Sequence, residues 1–390
     1  MDDVRLIVIG FGNRAGKFLS CFGKGMQLAG IVEPDAGRRD YAVQALGISA
    51  DICFGSFDAL VSSGLKADGA IICSPDKTHF EYASRCLEQG WPVLLEKPIG
   101  TTPDECRALA ELSARTGIPV TVGYELRYHP YYQKLRELVS IPSLGRLLAV
   151  DWAIEVGQKR MTHSFVRGMW SRQEDTGPIA LTKLCHDVDM LLWLIPGKPD
   201  SWLLEGARTL FRPENAPEGA ALRCLDCLVE KGCKFSAVEL YLRKHEWIGN
   251  FIAKPGESTD EMILRMLRES DFGRCAFHCG NNVNDSQKIT LEYPSGARAT
   301  INMTCSRPEG ERTAYFAFEN GSIEAGKDTI RLTCGNETRE FDYSGIMSLP
   351  MHGGADKALL DEFAGSIRNR VKTRSDISSG LLSHLICLSS

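Results

Sequence analysis

The strongest constraint on this chain lies at its start. Residues Val4 to Ile9 are apolar at nearly every position, the pattern of a strand buried on both faces. Gly10-Phe11-Gly12-Asn13-Arg14-Ala15-Gly16 follows and leads into an amphipathic stretch at helical spacing. Gly-x-Gly-x-x-Ala between a strand and a helix is a variant of the dinucleotide fingerprint. Gly10 permits the tight turn and Gly12 lets the backbone approach a pyrophosphate. Ala15 lets the helix lie close to the strand, and the helix N-terminus, with Asn13 and Arg14, faces the anion. A second apolar run, Leu28 to Val32, ends at Glu33. An acid at that distance accepts hydrogen bonds from adenosine ribose hydroxyls and repels a 2′-phosphate, so NAD is expected over NADP. Asp35 competes for this role but lies past Pro34, in the turn.

The alternation of strand and helix continues. Residues 36–46 read as a helix and Asp68 to Cys73 as a strand, followed by Ser74-Pro75-Asp76-Lys77-Thr78-His79. A helix runs to Gln89 and ends at Gly90. Trp91 to Leu95 is a short buried strand, and Glu96-Lys97-Pro98 comes directly after it. Pro103 opens a further helix that ends near Gly117, and Ile118 to Val122 is the next strand. Strands separated by single helices imply a doubly wound parallel sheet. In such sheets ligands bind beyond the carboxyl ends of the strands, the rim shared by Gly10, Ser74, Pro75, His79, Glu96 and Lys97. A lysine there could meet substrate and cofactor together. His79 reads equally well as an ordinary residue at a helix start.

The chain has 390 residues, enough for two domains with sizeable cores. A formal net charge of -5 and the lack of a basic run argue against nucleic-acid binding. The N-terminus is acidic where a signal peptide is basic, and no apolar stretch is long enough to span a bilayer. Most of the fourteen cysteines fall at core positions and read as buried free thiols. Together these point to a cytoplasmic protein without a membrane partner.

Gly10-Phe11-Gly12-Asn13-Arg14-Ala15, Ser74-Pro75-Asp76-Lys77-Thr78-His79, Glu96-Lys97-Pro98 and Gly123-Tyr124-Glu125-Leu126-Arg127-Tyr128-His129-Pro130 together resemble the Gfo/Idh/MocA family of sugar and cyclitol oxidoreductases. The resemblance extends over the whole chain, and Glu-Lys-Pro in this setting is its most specific part. It implies a Rossmann domain over residues 1–123 and a C-terminal α+β domain over 124–390, whose large, mostly antiparallel sheet often mediates oligomerisation. A homo-oligomer, dimer or tetramer, is therefore expected. The resemblance also implies that Lys97 points into the active site beside the nicotinamide.

In the second half, residues 129–139 suggest a linking helix and Leu147 to Val156 a strand. His163 to Trp170 reads as a loop dense in polar and aromatic groups, with Arg167 and Trp170 as candidate substrate contacts. Gly177 to Leu194 reads as a helix on which Lys183, His186 and Asp187 share a face. The resemblance implies that His186, of His-x-x-Asp, lies beside the substrate. The family usually has an aspartate where this chain has Thr182, which leaves the proton-relay partner open. Lys97 belongs to the first domain and His186 to the second, and both are expected at one cleft, with Lys183 a further catalytic candidate. Arg127 and His352, the latter in a His-Gly-Gly-x-Asp loop, complete the expected substrate contacts.

An insert over about 222–280 carries Cys224-Leu225-Asp226-Cys227, Cys233 and Cys275. A Cys-x-x-Cys with further cysteines can make a structural tetrahedral zinc site, here with Cys224, Cys227, Cys233 and Cys275, or Cys279 or His278 as fourth ligand. An iron–sulfur cluster could use the same ligands. Lys288 to Tyr293, Ala297 to Met303 and Thr313 to Glu319 form an antiparallel meander, with Asn320-Gly321 a hairpin turn. The expected activity is NAD-dependent oxidation of a secondary hydroxyl of a sugar, glycoside or cyclitol, or the reverse, with Lys97 or His186 as base. Two alternatives are an enzyme that oxidises a glycoside transiently to cleave it, recycling NAD, and a non-catalytic NAD-binding sensor.

Overall fold

The computed structural model describes residues 3–254, 256–347 and 349–389; Met1 and Asp2 of the acidic N-terminus lie outside them. The chain divides into two compact units. The first comprises Met1–Glu137, Cys185–Pro196 and Asp342–Leu388, the second Leu138–Leu184, Gly197–Phe341 and Ser389–Ser390. The first unit thus reaches beyond the boundary expected at residue 123. Its core explains why: Leu359, Leu360 and Phe363 of the helix Ala355–Asn369 pack with Val8, Phe18, Ile31 and Ile71. That apolar stripe is buried against the first strand, the helix Asn13–Ser20 and the turn Glu125–Tyr128.

The sheet of the first unit has six strands: β1 (Val4–Ile9), β2 (Met26–Val32), β3 (Cys53–Phe54), β4 (Gly69–Ile72), β5 (Val93–Leu95) and β6 (Val120–Val122). They are parallel, in the order β3-β2-β1-β4-β5-β6. The order of connection reverses between the parallel strands β1 and β4, the switch point at whose carboxyl ends a crevice is expected. The register pairs Ile9 with Val32 and Ile72, and Ile72 with Leu95. Gly10, Glu33, Cys73 and Glu96 therefore leave the sheet at one level. The helix Pro103–Thr116 starts at a Thr102/Glu105 capping box and stops at Gly117 in the left-handed region, as its sequence signals require.

The second unit is built on eight strands: β7 (Leu147–Glu155), β8 (Ser201–Ala207), β9 (Ser286–Glu292), β10 (Arg298–Thr304), β11 (Glu311–Phe318), β12 (Gly321–Ala325), β13 (Thr329–Cys334) and β14 (Glu337–Asp342). Their order is β14-β13-β12-β11-β7-β10-β9-β8. β7 and β10 run parallel, whereas the other registered pairs are antiparallel. The hairpin turn falls on Glu319-Asn320, one residue before the Asn320-Gly321 expected: Gly321 already belongs to β12 and pairs with Phe318. Ile289, Leu291, Ile301, Met303 and Phe316 are buried on one face, while their neighbours along each strand turn outward. The architecture is the α/β one expected: a parallel Rossmann sheet and a large, mostly antiparallel second sheet.

Two segments differ from expectation. The stretch His163 to Trp170, read as loop, begins inside a π-helix, Met161–Val166. The insert is a small apolar core of its own: Cys224, Val238, Leu240, Tyr241, Phe251, Met262, Ile263 and Leu267 pack together. A helix Thr259–Glu269 anchors it, opened by a Ser258/Glu261 capping box. All fourteen cysteines are free thiols. Among the described residues no helix is long and apolar enough to cross a membrane.

Candidate functional site

The turn after β1 is shaped for close approach. Gly10 sits at φ +84, and a Cβ there would stand 2.7 Å from the backbone of Ser74. At Gly12 a Cβ would meet nothing within 4 Å. Gly12 is also the N-cap of the helix Asn13–Ser20, and no side chain caps that helix. Bare backbone, open space and a helix N-terminus suit a pyrophosphate. Glu33, only 8% exposed, accepts hydrogen bonds from the N–H groups of Phe11 (2.8 Å) and Asp35 (3.0 Å), so its carboxylate is pinned at the end of β2. Asp35 instead caps the helix Ala36–Leu46 by accepting from the Arg38 N–H at 2.8 Å. Of the two acids, Glu33 is the one set on the rim.

His79 is a structural tie. It is buried, its Nδ1 lies 2.6 Å from the Pro98 carbonyl and its Nε2 2.9 Å from the Ser74 carbonyl. With both ring nitrogens engaged it clamps the β4 loop to the β5 loop and has none to offer a cofactor. The β5 loop is tied again from the C-terminal helix Ile377–Cys387: the Ile99 N–H donates to His384 Nε2 at 2.9 Å. That bond places the His384 proton on Nδ1, beside the Gly380 carbonyl at 3.1 Å. Burial pushes His384 down to about 4, and it is neutral. Between these two ties stands Lys97, half-buried, with a cis peptide to Pro98.

Around Lys97 the unit gathers charge. Arg14 pairs with Glu96 and, through Nη1, with Asp356 Oδ1 at 2.7 Å. Burial opposes the charge on Arg14, yet Glu96, Glu125 and Asp356 together hold its guanidinium above its ordinary range. Asp356 also meets His352 Nδ1 at 2.9 Å, which raises the His352 imidazole. His186 lies in the first turn of the helix Cys185–Leu194; its Nδ1 lies 3.8 Å from Glu125 Oε2, and its ring meets the Tyr124 ring edge-on at 5.7 Å. The neighbouring Cys185 thiol is pushed by burial to about 12, against the pull of Lys97, and stays protonated. Lys97 and His186 thus lie in one compact unit, not on opposite domains as the sequence suggested.

Other candidates are spent elsewhere. Arg127 is buried and donates Nε to Asp189 Oδ2 at 2.8 Å and Nη2 to Asp189 Oδ1 at 2.5 Å, with Nη1 on the Arg374 carbonyl at 2.6 Å. It is a structural ion pair, not a substrate contact. Arg167 donates Nε to the Arg274 carbonyl at 2.8 Å and Nη2 to the Phe235 carbonyl at 2.6 Å, deep in the second unit. Trp170, half-buried, stacks on Phe165 at 5.7 Å. Thr182 and Lys183 belong to the second unit, in the π-helical turn Ala180–Leu184, whose i→i+5 bonding replaces the spacing behind the expected shared face. Asp187 is fully buried. Glu125, Asp356 and His384 were missed. Each is a polar residue beside a glycine-marked or apolar segment, but only the packing puts them at this rim.

The zinc expectation is not supported. Cys224, Cys227, Cys233 and Cys275 do line one small cavity with Arg167, Phe235 and Phe277. Among the described residues, however, no three His, Cys, Asp or Glu side chains are arranged to hold a metal ion. The Arg167 guanidinium brings its own positive charge against the cluster, with Nη2 3.8 Å from Cys224 Sγ. The Cys233 and Cys275 thiols are raised by burial, which disfavours the thiolates a metal requires.

Residues 4–124 match the family described as "Oxidoreductase family, NAD-binding Rossmann fold", GFO_IDH_MocA. The Bacillus subtilis protein named "Putative oxidoreductase YteT" is 25% identical over 316 residues, 76% of this chain and 72% of its own length. Inositol 2-dehydrogenase 2 of Saccharopolyspora erythraea is 32% identical over 177 residues, 44% of this chain and 47% of that enzyme, so this match spans about half of the relative. The fold of an Agrobacterium radiobacter oxidoreductase, solved with NAD+, L-tartaric acid and magnesium, superposes with a TM-score of 0.71 at 14% identity, covering 100% of this chain and 95% of that one. Residues 4–124 thus carry the NAD-binding Rossmann domain of the Gfo/Idh/MocA oxidoreductase family.

Proposed function

We propose that this protein is an NAD-dependent dehydrogenase acting on a secondary hydroxyl of a sugar, glycoside or cyclitol. One observation carries the reading: the first unit gathers Lys97, His186 and Glu125 with the Gly10–Ala15 turn. A sensor has no need of a lysine and a histidine at the rim of its nucleotide turn. Gly10, Gly12, Asn13, Ala15, Glu33, Ser74 and Pro75 are the residues to hold the dinucleotide; when bound, it supplies the hydride acceptor. Lys97 donates to the substrate oxygen and favours the developing alkoxide. His186 exchanges the hydroxyl proton, and Arg14 with Glu96 fixes the floor of the site. Inositol dehydrogenases among the relatives favour a polyol substrate. Self-association into a dimer or tetramer through the outward face of the second sheet, where Leu203 is 56% and Tyr315 44% exposed, fits the same reading.

Incubating the full chain with NAD and a panel of polyols and glycosides tests it. Net NADH accumulation that depends on one substrate class is expected. Glycoside cleavage without net NADH would replace this reading with the recycling enzyme. NAD binding without any turnover would replace it with a sensor.

A further inference from the structure

A charge facing one ring nitrogen of His186 decides where its proton sits, and Thr182 carries no charge. A carboxylate reaches the ring from elsewhere in the first unit. Glu125 lies in the turn Glu125–Tyr128 beyond β6, only 6% exposed, and its Oε2 is 3.8 Å from His186 Nδ1. That separation exceeds a hydrogen bond but is close enough for a charge pair. The edge of Tyr124, the residue before Glu125, sets the tilt of the imidazole. We propose that Glu125 is the positioning residue for His186: it holds the proton at Nδ1, leaves Nε2 to the substrate hydroxyl, and stabilises the imidazolium that forms.

The chemistry rests on the dehydrogenase reading. The alcohol loses its hydroxyl proton to His186 Nε2 and its carbinol hydride to the oxidised nicotinamide nucleotide, and the C–O bond becomes C=O. A carboxylate opposite Nδ1 lowers the cost of the positive charge the ring gains. Other charges surround the pair. Arg14 and His352 act on Glu125 as cations, with Asp189 as a further acid. Lys97 and Asp187 face Cys185 at the start of the His186 helix. Cys185 and His384 are neutral there. Arg14 already has Glu96 and Asp356 as direct partners, so Glu125 is the acid not consumed by a direct ion pair with it.

The test has two readouts. The first needs neither cofactor nor substrate: the His186 imidazole is titrated by NMR in histidine-labelled full-length protein. Glu125→Gln keeps the shape and removes the charge. Its His186 midpoint should fall by about one pH unit or more, while Glu125→Asp should restore part of the difference. In turnover, Glu125→Gln should lower kcat on the order of tenfold or more, with KM little changed and the pH profile displaced. An unchanged His186 midpoint in a folded Glu125→Gln protein overturns the inference, whatever the activity. A shifted midpoint in a protein that turns over no alcohol upholds the pairing and removes the dehydrogenase reading instead. If Glu125→Gln does not fold, Glu125→Asp carries the titration alone: a midpoint equal to wild type then counts against the inference.

Discussion

Two buried arginines, one in each unit, are neutralised by different means. Arg127 is 2% exposed and faces a full counter-charge, both nitrogens of its fork on Asp189. Arg167 is 3% exposed and rests on the carbonyls of Arg274 and Phe235 and on the Cys224 thiol; its Nη1 has no hydrogen-bond partner among the described residues. The first unit holds a second charged set as well, in which Arg14 meets Glu96, Asp356 and Glu125, and Asp356 meets His352. Around Arg167 the second unit is organised by rings, with Tyr241, Phe251 and Phe272 meeting edge to face at 5.1–5.9 Å. Fixed charges are expensive to bury and are placed where chemistry needs a field; aromatic packing has no such use and serves stability. The two regions should therefore fail differently when altered.

The largest effect should appear where the charge is used. Lys97→Ala removes the one ammonium on the β5 loop, and kcat should fall about 10²–10⁴-fold, while NAD affinity by calorimetry stays near wild type. A variant with undiminished kcat on the true substrate would make the charged set structural, and the contrast with the insert would collapse. Stability shows the same asymmetry. Asp189→Ala strands a buried guanidinium and should cost about 3–5 kcal/mol in denaturant unfolding. Arg167→Met replaces an incompletely satisfied cation by an apolar chain of similar length, and should fall within about 1 kcal/mol of wild type or above it. Equal losses in both variants would erase the distinction.

How much of this could be read in advance follows the same division. The glycine turn, the acid at the end of β2 and the loop after β5 are local: strand, turn and helix signals lie within a few residues of each other, and the parallel register brings them to one rim. The pairing of Arg127 with Asp189 spans 62 residues, and that of His384 with Ile99 spans 285; no local pattern announces either. The recruitment of helices 185–194 and 355–369 to the first unit is of the same kind. π-helical turns such as Met161–Val166 carry neither the 3.6-residue nor the two-residue period, so the segment read as a loop. In the insert the four cysteines drew attention to ligand spacing. The plainer signal is Ser258-x-x-Glu261 before an apolar stripe, a helix start that feeds an apolar core.

Acid should strain both regions through buried histidines, most strongly through His384 in the first unit and His163 in the second. Burial lowers His384 in the first unit and His163 in the second from 6.5 to about 4. The folded form disfavours the imidazolium, so the unfolded chain binds more protons between those values. Stability is complete above the unfolded value and is lost as pH falls from about 6.5 towards 4. At pH 5 each histidine should remove about 2 kcal/mol, read as a lowered urea midpoint. Replacing His163 by Phe, among Phe272 and Trp247 at 5.2 Å, should flatten only the second unit's share of that slope.

The smallest effect tests the insert's own logic. The Ser258 side chain accepts from the Glu261 N–H, and Glu261 in return accepts from the Ser258 N–H at 2.8 Å, satisfying two amides at the start of Thr259–Glu269. That helix supplies Met262, Ile263 and Leu267 to the core with Tyr241 and Phe251. If apolar packing holds the insert, the cap contributes only its local share, and Ser258→Ala should cost about 1 kcal/mol. Ile263→Ala, fully buried in the same helix, should cost more, about 2–5 kcal/mol. The ratio is the informative quantity. A cap variant that matched the core variant would mean that the helix end, exposed and polar, governs the insert, and that this region too is held by fixed partial charges more than by its rings.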